Sequence, residues 1–379
     1  MKYRTFPKTG EPISQLGFGT MRMPTHADGT LDHPESIRMI RAAIDQGVNY
    51  VDTAYMYHDG ESEIAVGKAL KDGYREKVFL ADKMPIWFAN NQEEMKAIFE
   101  EQFHRLDVDV IDFYLVHNIT VPIWKRAKKY GLMEFLEEEK HNGRIRHIGF
   151  SFHDEVEFFE EVLKEYPWDF CQIQLNYMDR DFQAGVKGLK MAAEMGIPVI
   201  IMEPLKGGKL TDRLPDSVKA LWNQAEVKRT PAEWALRWVA DFPEVLTILS
   251  GVHNMEQLEE NMRILSETEP NTLTEKEQEI ISKASYQYNH LIEYACTGCK
   301  YCLPCPVKLD IPAIIDLYNQ HHLYEGNEKV QRDYDMWFGQ NRRASACIAC
   351  GQCEEKCPQS LPIIEIMKKA SALFDGSQE

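Results

Sequence analysis

Cysteine is almost missing from the first three-quarters of this chain. Of nine cysteines in 379 residues, Cys171 alone precedes residue 295. It sits in FCQIQLN, a buried-strand pattern, and reads as a packed, inert thiol. Long apolar runs are missing too. No stretch approaches the ~20 apolar residues that span a bilayer. The opening MKYRTFPKTGEP has no apolar segment of the secretory type. A soluble, cytoplasmic protein is the expectation, and with it reduced thiols rather than a disulfide framework. Basic excess is lacking as well: the formal net charge is -17. Nucleic acid and anionic membrane surfaces call for clustered cations, so neither is expected as a partner. An acidic surface would suit a basic redox protein, although acidity mostly serves solubility.

The glycine fingerprint GxGxxG, which opens dinucleotide-binding Rossmann units, does not follow the early strands. What stands there instead is strict alternation. KYRTFPKTGEPISQLGFGT reads as a short N-terminal hairpin turning at Lys8-Thr9-Gly10. Eight strand-like runs follow: Leu16–Gly19, Tyr50–Asp52, Val78–Lys83, Phe113–His117, Ile145–Ser151, Phe170–Leu175, Val199–Glu203 and Leu246–Ser250. Eight helical patterns separate them: Pro34–Gln46, Ser62–Leu70, Gln92–Leu106, Trp124–Asn142, Asp154–Glu165, Phe182–Met195, Pro231–Asp241 and Met255–Leu265. Alternation of this kind implies parallel strands with helical crossovers. Eight repeats favour a closed (β/α)8 TIM barrel. One more helical stretch, Leu273–Leu291, leads out of it. The domains expected are residues 1–290, the barrel, and 291–379, a small C-terminal domain.

A barrel of this type carries its chemistry where the strands end. The second strand runs into VDTAYMYHDGESE, the third ends in LADKMP and the fourth in FYLVHN. Asp52, Tyr57, Lys83 and His117 therefore gather at or just past strand ends. An ammonium beside a phenol favours the phenolate and lowers a pKa that is ordinarily near 10. A carboxylate would hold that ammonium charged and oriented. A histidine can bond a carbonyl oxygen. Together they make a general acid with its tuning groups, suited to a carbonyl becoming an alkoxide. His104 and His141 lie in helical stretches and read as solvated, and His58 as a rim residue. Trp87, Phe88 and Trp124 follow the third and fourth strands and would wall an apolar or aromatic carbonyl pocket, or pack in the core.

GVNYVDTAYMYHDGESEIAVGKAL, with LADKMP and DFYLVHN, resembles the signature of the aldo-keto reductases over roughly residues 1–290. The resemblance implies Tyr57 as proton donor, five residues after Asp52, which selects it over Tyr55. It implies Lys83 and Asp52 as the tuning groups of Tyr57 and His117 as carbonyl orienter. It also implies an extended nicotinamide dinucleotide. By the same resemblance Ser151 and Gln174 would hold the carboxamide, Pro204, Leu205 and Gly207 would belong to the loop over the pyrophosphate, and Gly251, Gln257 and Asn261 to the adenosine site. Ser151 is followed by Phe152 and His153 where the family usually has asparagine, so His153 is a candidate replacement. No lysine or arginine follows Gly251, which removes a charge-assisted contact to a 2′-phosphate and leaves NADP or NAD open.

After residue 295 the cysteines crowd. Cys347, Cys350, Cys353 and Cys357, then Pro358, follow the C-x2-C-x2-C-x3-C-P run of bacterial ferredoxins. Cys296, Cys299, Cys302 and Cys305, then Pro306, are a near copy with a last gap of two. Paired runs resemble a ferredoxin-like domain with two 4Fe-4S clusters, each run lending its last cysteine to the other cluster. That gives Cys296, Cys299, Cys302 and Cys357 one cluster, and Cys347, Cys350, Cys353 and Cys305 the other. Zinc is the competing metal for C-x2-C pairs. Hydride chemistry moves two electrons and a cubane moves one, so three functions are open. The clusters brace a carbonyl reductase, or they feed single electrons from a ferredoxin or other redox protein to a substrate or flavin, or the protein is chiefly an electron carrier on a vestigial barrel, a reading that the intact set Asp52, Tyr57, Lys83 and His117 disfavours.

Overall fold

The computed structural model describes residues 1–211, 214–323 and 328–376. Two short strands, β1 (Tyr3–Thr5) and β2 (Pro12–Ser14), pair antiparallel as the N-terminal hairpin. Then come β3 (Leu16–Gly19), β4 (Tyr50–Asp52), β5 (Phe79–Met84), β6 (Ile111–Ile119), β7 (Ile145–Phe152), β8 (Phe170–Gln174), β9 (Val199–Met202) and β10 (Val245–Ser250). These eight are parallel, follow one another in chain order, and close as β10 meets β3. The strands are buried nearly throughout, as a barrel wrapped by helices requires, so they read as apolar runs rather than as alternation.

The helices of the barrel are α1 (His33–Asp45), α2 (Glu61–Ala69), α3 (Gln92–Leu106), α4 (Val121–Lys129), α5 (Leu132–His141), α6 (Val156–Glu165) and α7 (Gly185–Glu194). Further along are α8 (Asp216–Gln224), α9 (Pro231–Ala240), α10 (Met255–Glu267) and α11 (Glu275–Asn289), then α12 (Ile311–Leu323), α13 (Glu328–Trp337), α14 (Gln352–Glu355) and α15 (Ile363–Phe374). Side chains of Asp32, Asn91 and Asn254 accept backbone N–H groups at the starts of α1, α3 and α10. One expected helix, Trp124–Asn142, is two. Gly131 adopts φ +65°, a left-handed conformation that ends α4 and starts α5.

By packing the chain divides into two compact units. The first is Met1–Leu205 with Ala232–Thr274, and holds the barrel. Phe113 lies at the centre of the barrel floor, with ring centroids 5.2 Å from Phe6, 5.1 Å from Tyr50 and 5.0 Å from Phe170. Phe6 and Ile13 belong to this cluster, so the hairpin plugs the N-terminal mouth. Burial of one such phenylalanine contributes about 1.5–3 kcal/mol. That plug leaves the C-terminal mouth for function.

Gly67 shows how closely the helices stand. A Cβ there would lie 2.4 Å from the Leu106 carbonyl oxygen, so α2 and α3 meet with no room for a methyl group. Gly67→Ala is expected to destabilise the barrel by about 1–3 kcal/mol, read as a lower midpoint in urea.

The second unit is Lys206–Pro231 with Glu275–Glu379. Here α8 packs on α11, and α12 on α13 and α15. Tyr334 stacks on Phe374 at 4.5 Å, and its hydroxyl accepts the Ala344 N–H at 2.8 Å. Cys302, Cys305, Cys347, Cys353 and Cys357 are partly buried against the same apolar core as Ile314, Ile315, Ile363 and Met367. Among the described residues no helix is long and apolar enough to cross a membrane.

Candidate active site and iron–sulfur centre

Strand register builds the first site. Asp52 on β4 pairs with Ala81 on β5, so Lys83, two residues on, points the same way. Lys83 pairs with Leu115 on β6, which puts His117 on that side too. All three reach the C-terminal end of the barrel, and the loop after β4 brings in Tyr57.

The Lys83 side chain is fully buried, and its Nζ donates to Asp52 Oδ1 at 2.6 Å and to the Thr53 carbonyl at 2.6 Å. The same ammonium lies 5.3 Å from the centre of the Tyr57 ring. His117 meets that ring edge-on from the other side, with centroids 6.2 Å apart, and Trp87 lies 5.0 Å from His117. Burial, the Lys83 charge and His153 together hold the His117 imidazole well below its ordinary pKa, so it is neutral. Burial pushes the Asp52 carboxyl up while Lys83 pulls it down. Three hydroxyls support Asp52 from behind: Ser62 donates to Thr20 Oγ1 at 2.7 Å, Thr53 lies 2.9 Å from Ser62, and Thr20 donates to the Asp52 carbonyl at 3.0 Å.

The dinucleotide candidates also fall at strand ends. Ser151 is the penultimate residue of β7, and its Oγ accepts the Asn118 N–H at 2.7 Å. Gln174 ends β8 and donates to Asp179 at 2.7 Å. Pro204 and Leu205 follow β9, and Gly251 follows β10, where a Cβ would come within 3.1 Å of the Arg22 Cβ. Gly207 lies in the second unit. Gln257 and Asn261 are on α10 with their side chains already engaged: Gln257 Oε1 accepts the His253 N–H at 2.9 Å, and Asn261 donates to Ser250 at 3.0 Å. Arg22 pairs with Glu203 at 2.8 Å, joining the loops after β3 and β9. His153 is buried, and burial holds its imidazole near pKa 4. Beside Ser151, Asn118 Oδ1 and His153 Nδ1 are buried with no hydrogen bond from the chain. Buried orphan groups of this kind fit a carboxamide, which both donates and accepts.

Trp87 and Phe88 stand by this mouth, and Phe88 is exposed. Trp124 does not wall the pocket. Its indole N–H donates to Glu165 at 2.6 Å, and the ring packs on Trp168 at 5.8 Å. Behind β5 lies a group that the motif reading passes over: Glu63, Asp82, Gln102 and Arg105, all but the last fully buried. The signal was present as Asp82, a second charge beside Lys83 in a strand buried on both faces.

In the second unit Cys296, Cys299, Cys302 and Cys357 line one small cavity, walled by Ile311 and Leu361. The Gly298 N–H points at Cys296 Sγ, 3.4 Å away. Burial pushes the Cys302 thiol up, and Cys299, Cys296 and Cys357 push it further. Burial likewise raises Cys357. Cys353 is pushed up to about 11, with Cys347 among the causes. Four sulfurs facing one apolar cavity, Cys296 buried and the others half-buried, suit a cationic iron–sulfur core that would hold them as thiolates. Cys350 is exposed, and Cys305 is half-buried against the shared core. Among the described residues no three His, Cys, Asp or Glu side chains gather as ligands of a single ion, and a cubane spreads its ligands over four corners. Cys171 is fully buried, and burial raises its thiol pKa.

Comparison with known proteins finds matches to both parts of the chain. The model of the Aldo/keto reductase family matches residues 15–284, and that of a 4Fe-4S dicluster domain matches residues 295–361. The chain is 30% identical to aldo-keto reductase YhdN of Bacillus subtilis over 74% of its own length and 93% of that protein's. It is 28% identical to the NADH-specific methylglyoxal reductase of Escherichia coli over 70% and 94% of the two lengths. Among solved structures, the holo form of aldo-keto reductase AKR11C1 from Bacillus halodurans superposes with a TM-score of 0.62 at 28% identity, covering 75% of this chain and 96% of that one. An aldo/keto reductase from Klebsiella pneumoniae in complex with NADP and acetate gives 0.59 at 26% identity, covering 75% and 95%.

Proposed function

Because the chain belongs to the aldo/keto reductase family, and so to the oxidoreductases, we propose that it reduces an aldehyde or ketone with NADH or NADPH, Tyr57 giving the proton. The observation that carries this reading is the Lys83 ammonium, buried between Asp52 and the Tyr57 ring with His117 beyond. A nicotinamide held there would supply the hydride to the carbonyl carbon. The proton for the carbonyl oxygen comes from the Tyr57 hydroxyl. Lys83 stabilises the phenolate left behind, and Asp52 keeps Lys83 charged in a site where burial opposes charge. His117, being neutral, donates an N–H bond to the carbonyl oxygen and takes up no proton. Ser151, Asn118 and Gln174 would hold the carboxamide, the loop at Pro204, Leu205 and Gly207 the pyrophosphate, and Gly251, Gln257 and Asn261 the adenosine.

Two 4Fe-4S clusters fit the eight late cysteines, Cys296, Cys299, Cys302 and Cys357 holding one and Cys347, Cys350, Cys353 and Cys305 the other. Such clusters store single electrons. One observation favours a second reading, in which they exchange electrons with a ferredoxin or other redox protein: Cys350 and its neighbour Ile348 are exposed. Anaerobic mixing with NADH or NADPH, with and without a small aldehyde, decides between the readings. Loss of nicotinamide absorbance with aldehyde, at constant cluster absorbance and EPR signal, is expected for the reductase with bracing clusters. Cluster reduction by the nicotinamide would support the electron-transfer reading. No turnover of any aldehyde tested would remove the first.

A further inference from the structure

Behind the wall that carries Lys83, on the side facing the helices, two carboxyl groups meet. Asp82 precedes Lys83 on β5, so it points outward where Lys83 points in. It meets Glu63 of α2, and both side chains are fully buried. The two carboxyls lie within hydrogen-bonding reach of each other. Asp82 Oδ1 accepts the Lys83 N–H at 2.8 Å, and its Oδ2 accepts from Gln102 Nε2 at 2.8 Å. Gln102 also donates to the Lys83 carbonyl at 3.0 Å and accepts from Tyr114. The peptide groups on both sides of Lys83 are thereby gripped from outside the barrel.

Glu63 ties in the other partner. Its Oε2 accepts from Arg105 Nη1 at 2.9 Å. The same Nη1 donates to the Tyr55 carbonyl at 3.1 Å, two residues before Tyr57, and Nη2 donates to Glu101 at 2.6 Å. Gly60, at φ +92°, is pressed against this guanidinium, so that a Cβ would come within 2.7 Å of Nη1. Arg105 therefore holds both ends of the loop that presents Tyr57.

One atom is left over. Among the described residues Glu63 Oε1 is buried with no hydrogen-bond partner, and the side chains facing the Glu63 carboxyl beside Arg105 are Asp82 and Gln102. Two ionised carboxylates in contact in a dry layer would repel and leave that oxygen unsatisfied. A single proton between them satisfies it. The pair then carries one negative charge beside the Arg105 guanidinium, which Glu101 also meets at 2.6 Å, while Lys83 is matched by Asp52.

We propose that Glu63 and Asp82 share one proton and, with Gln102 and Arg105, form a clamp behind the barrel wall that positions the Lys83 peptide against the Tyr57 loop. The clamp acts through Lys83 and Tyr57, so its catalytic importance rests on the function proposed above, whereas its proton does not. Burial raises both carboxyls above the ordinary carboxylate range, and in Asp82 the Glu63 charge adds to this. The charged and titratable groups facing the pair are Arg105 from α3, Lys83 from β5 and Tyr114 from β6, with Glu101 behind Arg105. Because the folded pKa values lie above the unfolded ones, the stability due to the shared proton is complete below about pH 4 and is lost as pH rises through the folded values.

Glu63→Gln is the informative variant. Its amide can donate to Asp82 where Oε1 stood, while its carbonyl keeps the Arg105 bond, so the proton is locked in place. Three readouts test the clamp. A protonated-carboxyl C=O band is expected in the infrared spectrum of the wild type at neutral pH and is expected to be lost in Glu63→Gln. As pH rises above about 5 the melting temperature of the wild type should fall relative to that of Glu63→Gln. Glu63→Ala should lower kcat by about 10-fold or more while nicotinamide Kd moves less than about two-fold, and Glu63→Gln should recover most of that loss. Absence of the infrared band together with parallel melting profiles would overturn the shared proton even if Glu63→Ala fails to fold. A Glu63→Gln variant as slow as Glu63→Ala, with the band present in wild type, would overturn the positioning role. A wild type that turns over no carbonyl, with the band and the melting difference intact, would instead remove the function proposed above and leave the clamp's proton standing.

Discussion

Tyr57→Phe is expected to lower kcat for carbonyl reduction by about 10²- to 10⁴-fold and to leave nicotinamide Kd within about two-fold. The phenylalanine ring keeps the edge-on contact with His117 and the place beside the Lys83 ammonium. Only the hydroxyl is lost, and with it the proton. His117 does not replace it, because burial and the Lys83 charge keep the imidazole neutral and without an acidic proton to give at neutral pH. Stopped-flow loss of nicotinamide absorbance measures kcat, and quenching of protein fluorescence measures Kd. Turnover within about 10-fold of the wild type would move the proton donor to another group. Lys83→Met is a poorer test, although its effect on activity should be as large. It would leave the Asp52 carboxylate buried without its cation, and breaking a buried pair costs about 3–5 kcal/mol of stability. Lost activity could then report lost structure.

The sequence shows the barrel so clearly because closed parallel barrels are written in a simple form. Each strand is a short apolar run, and the polar residue that ends it is the one that reaches the mouth. Asp52, Lys83 and His117 stand out by that contrast alone, and the structure brings them together around Tyr57. Elements set by local exceptions are harder to read. Gly131 breaks what periodicity presents as one helix from Trp124 to Asn142. The α8 helix, Asp216–Gln224, is nine residues inside the long connection between β9 and α9, outside the alternation of one helix per strand that marks the others. Trp124 follows a strand end like Trp87, yet it turns onto Trp168, because a helix position fixes direction more than distance from the strand does. The clamp at Glu63 and Asp82 is least visible of all. Each carboxyl is an ordinary acidic residue along the chain, and only the packing of α2 and α3 on β5 makes the two neighbours.

In the second unit, Cys357→Ala is expected to remove the cluster of the Cys296 run and leave the cluster of its own run. Position along the chain argues the opposite, since Cys357 closes the run that begins at Cys347. The expectation rests on geometry: Cys357 lines the same cavity as Cys296, Cys299 and Cys302, and burial first, then the neighbouring sulfurs, raise its thiol and that of Cys302. Without its fourth thiolate a cubane at that place has an open corner, and the buried sulfurs lose the cation that offsets their charge. Iron per chain should fall from about eight to about four, with one of two EPR signals lost. Cys347→Ala should remove the other signal, and Cys171→Ala neither. Because cluster binding supplies folding free energy, Cys357→Ala should also lower the melting temperature of the second unit, with α12 and α15 losing the centre they pack around. If Cys357→Ala and Cys347→Ala remove the same signal, each run serves its own cluster and the crossed assignment is wrong. If neither lowers iron content, the cavity at Cys296 holds something other than a cubane.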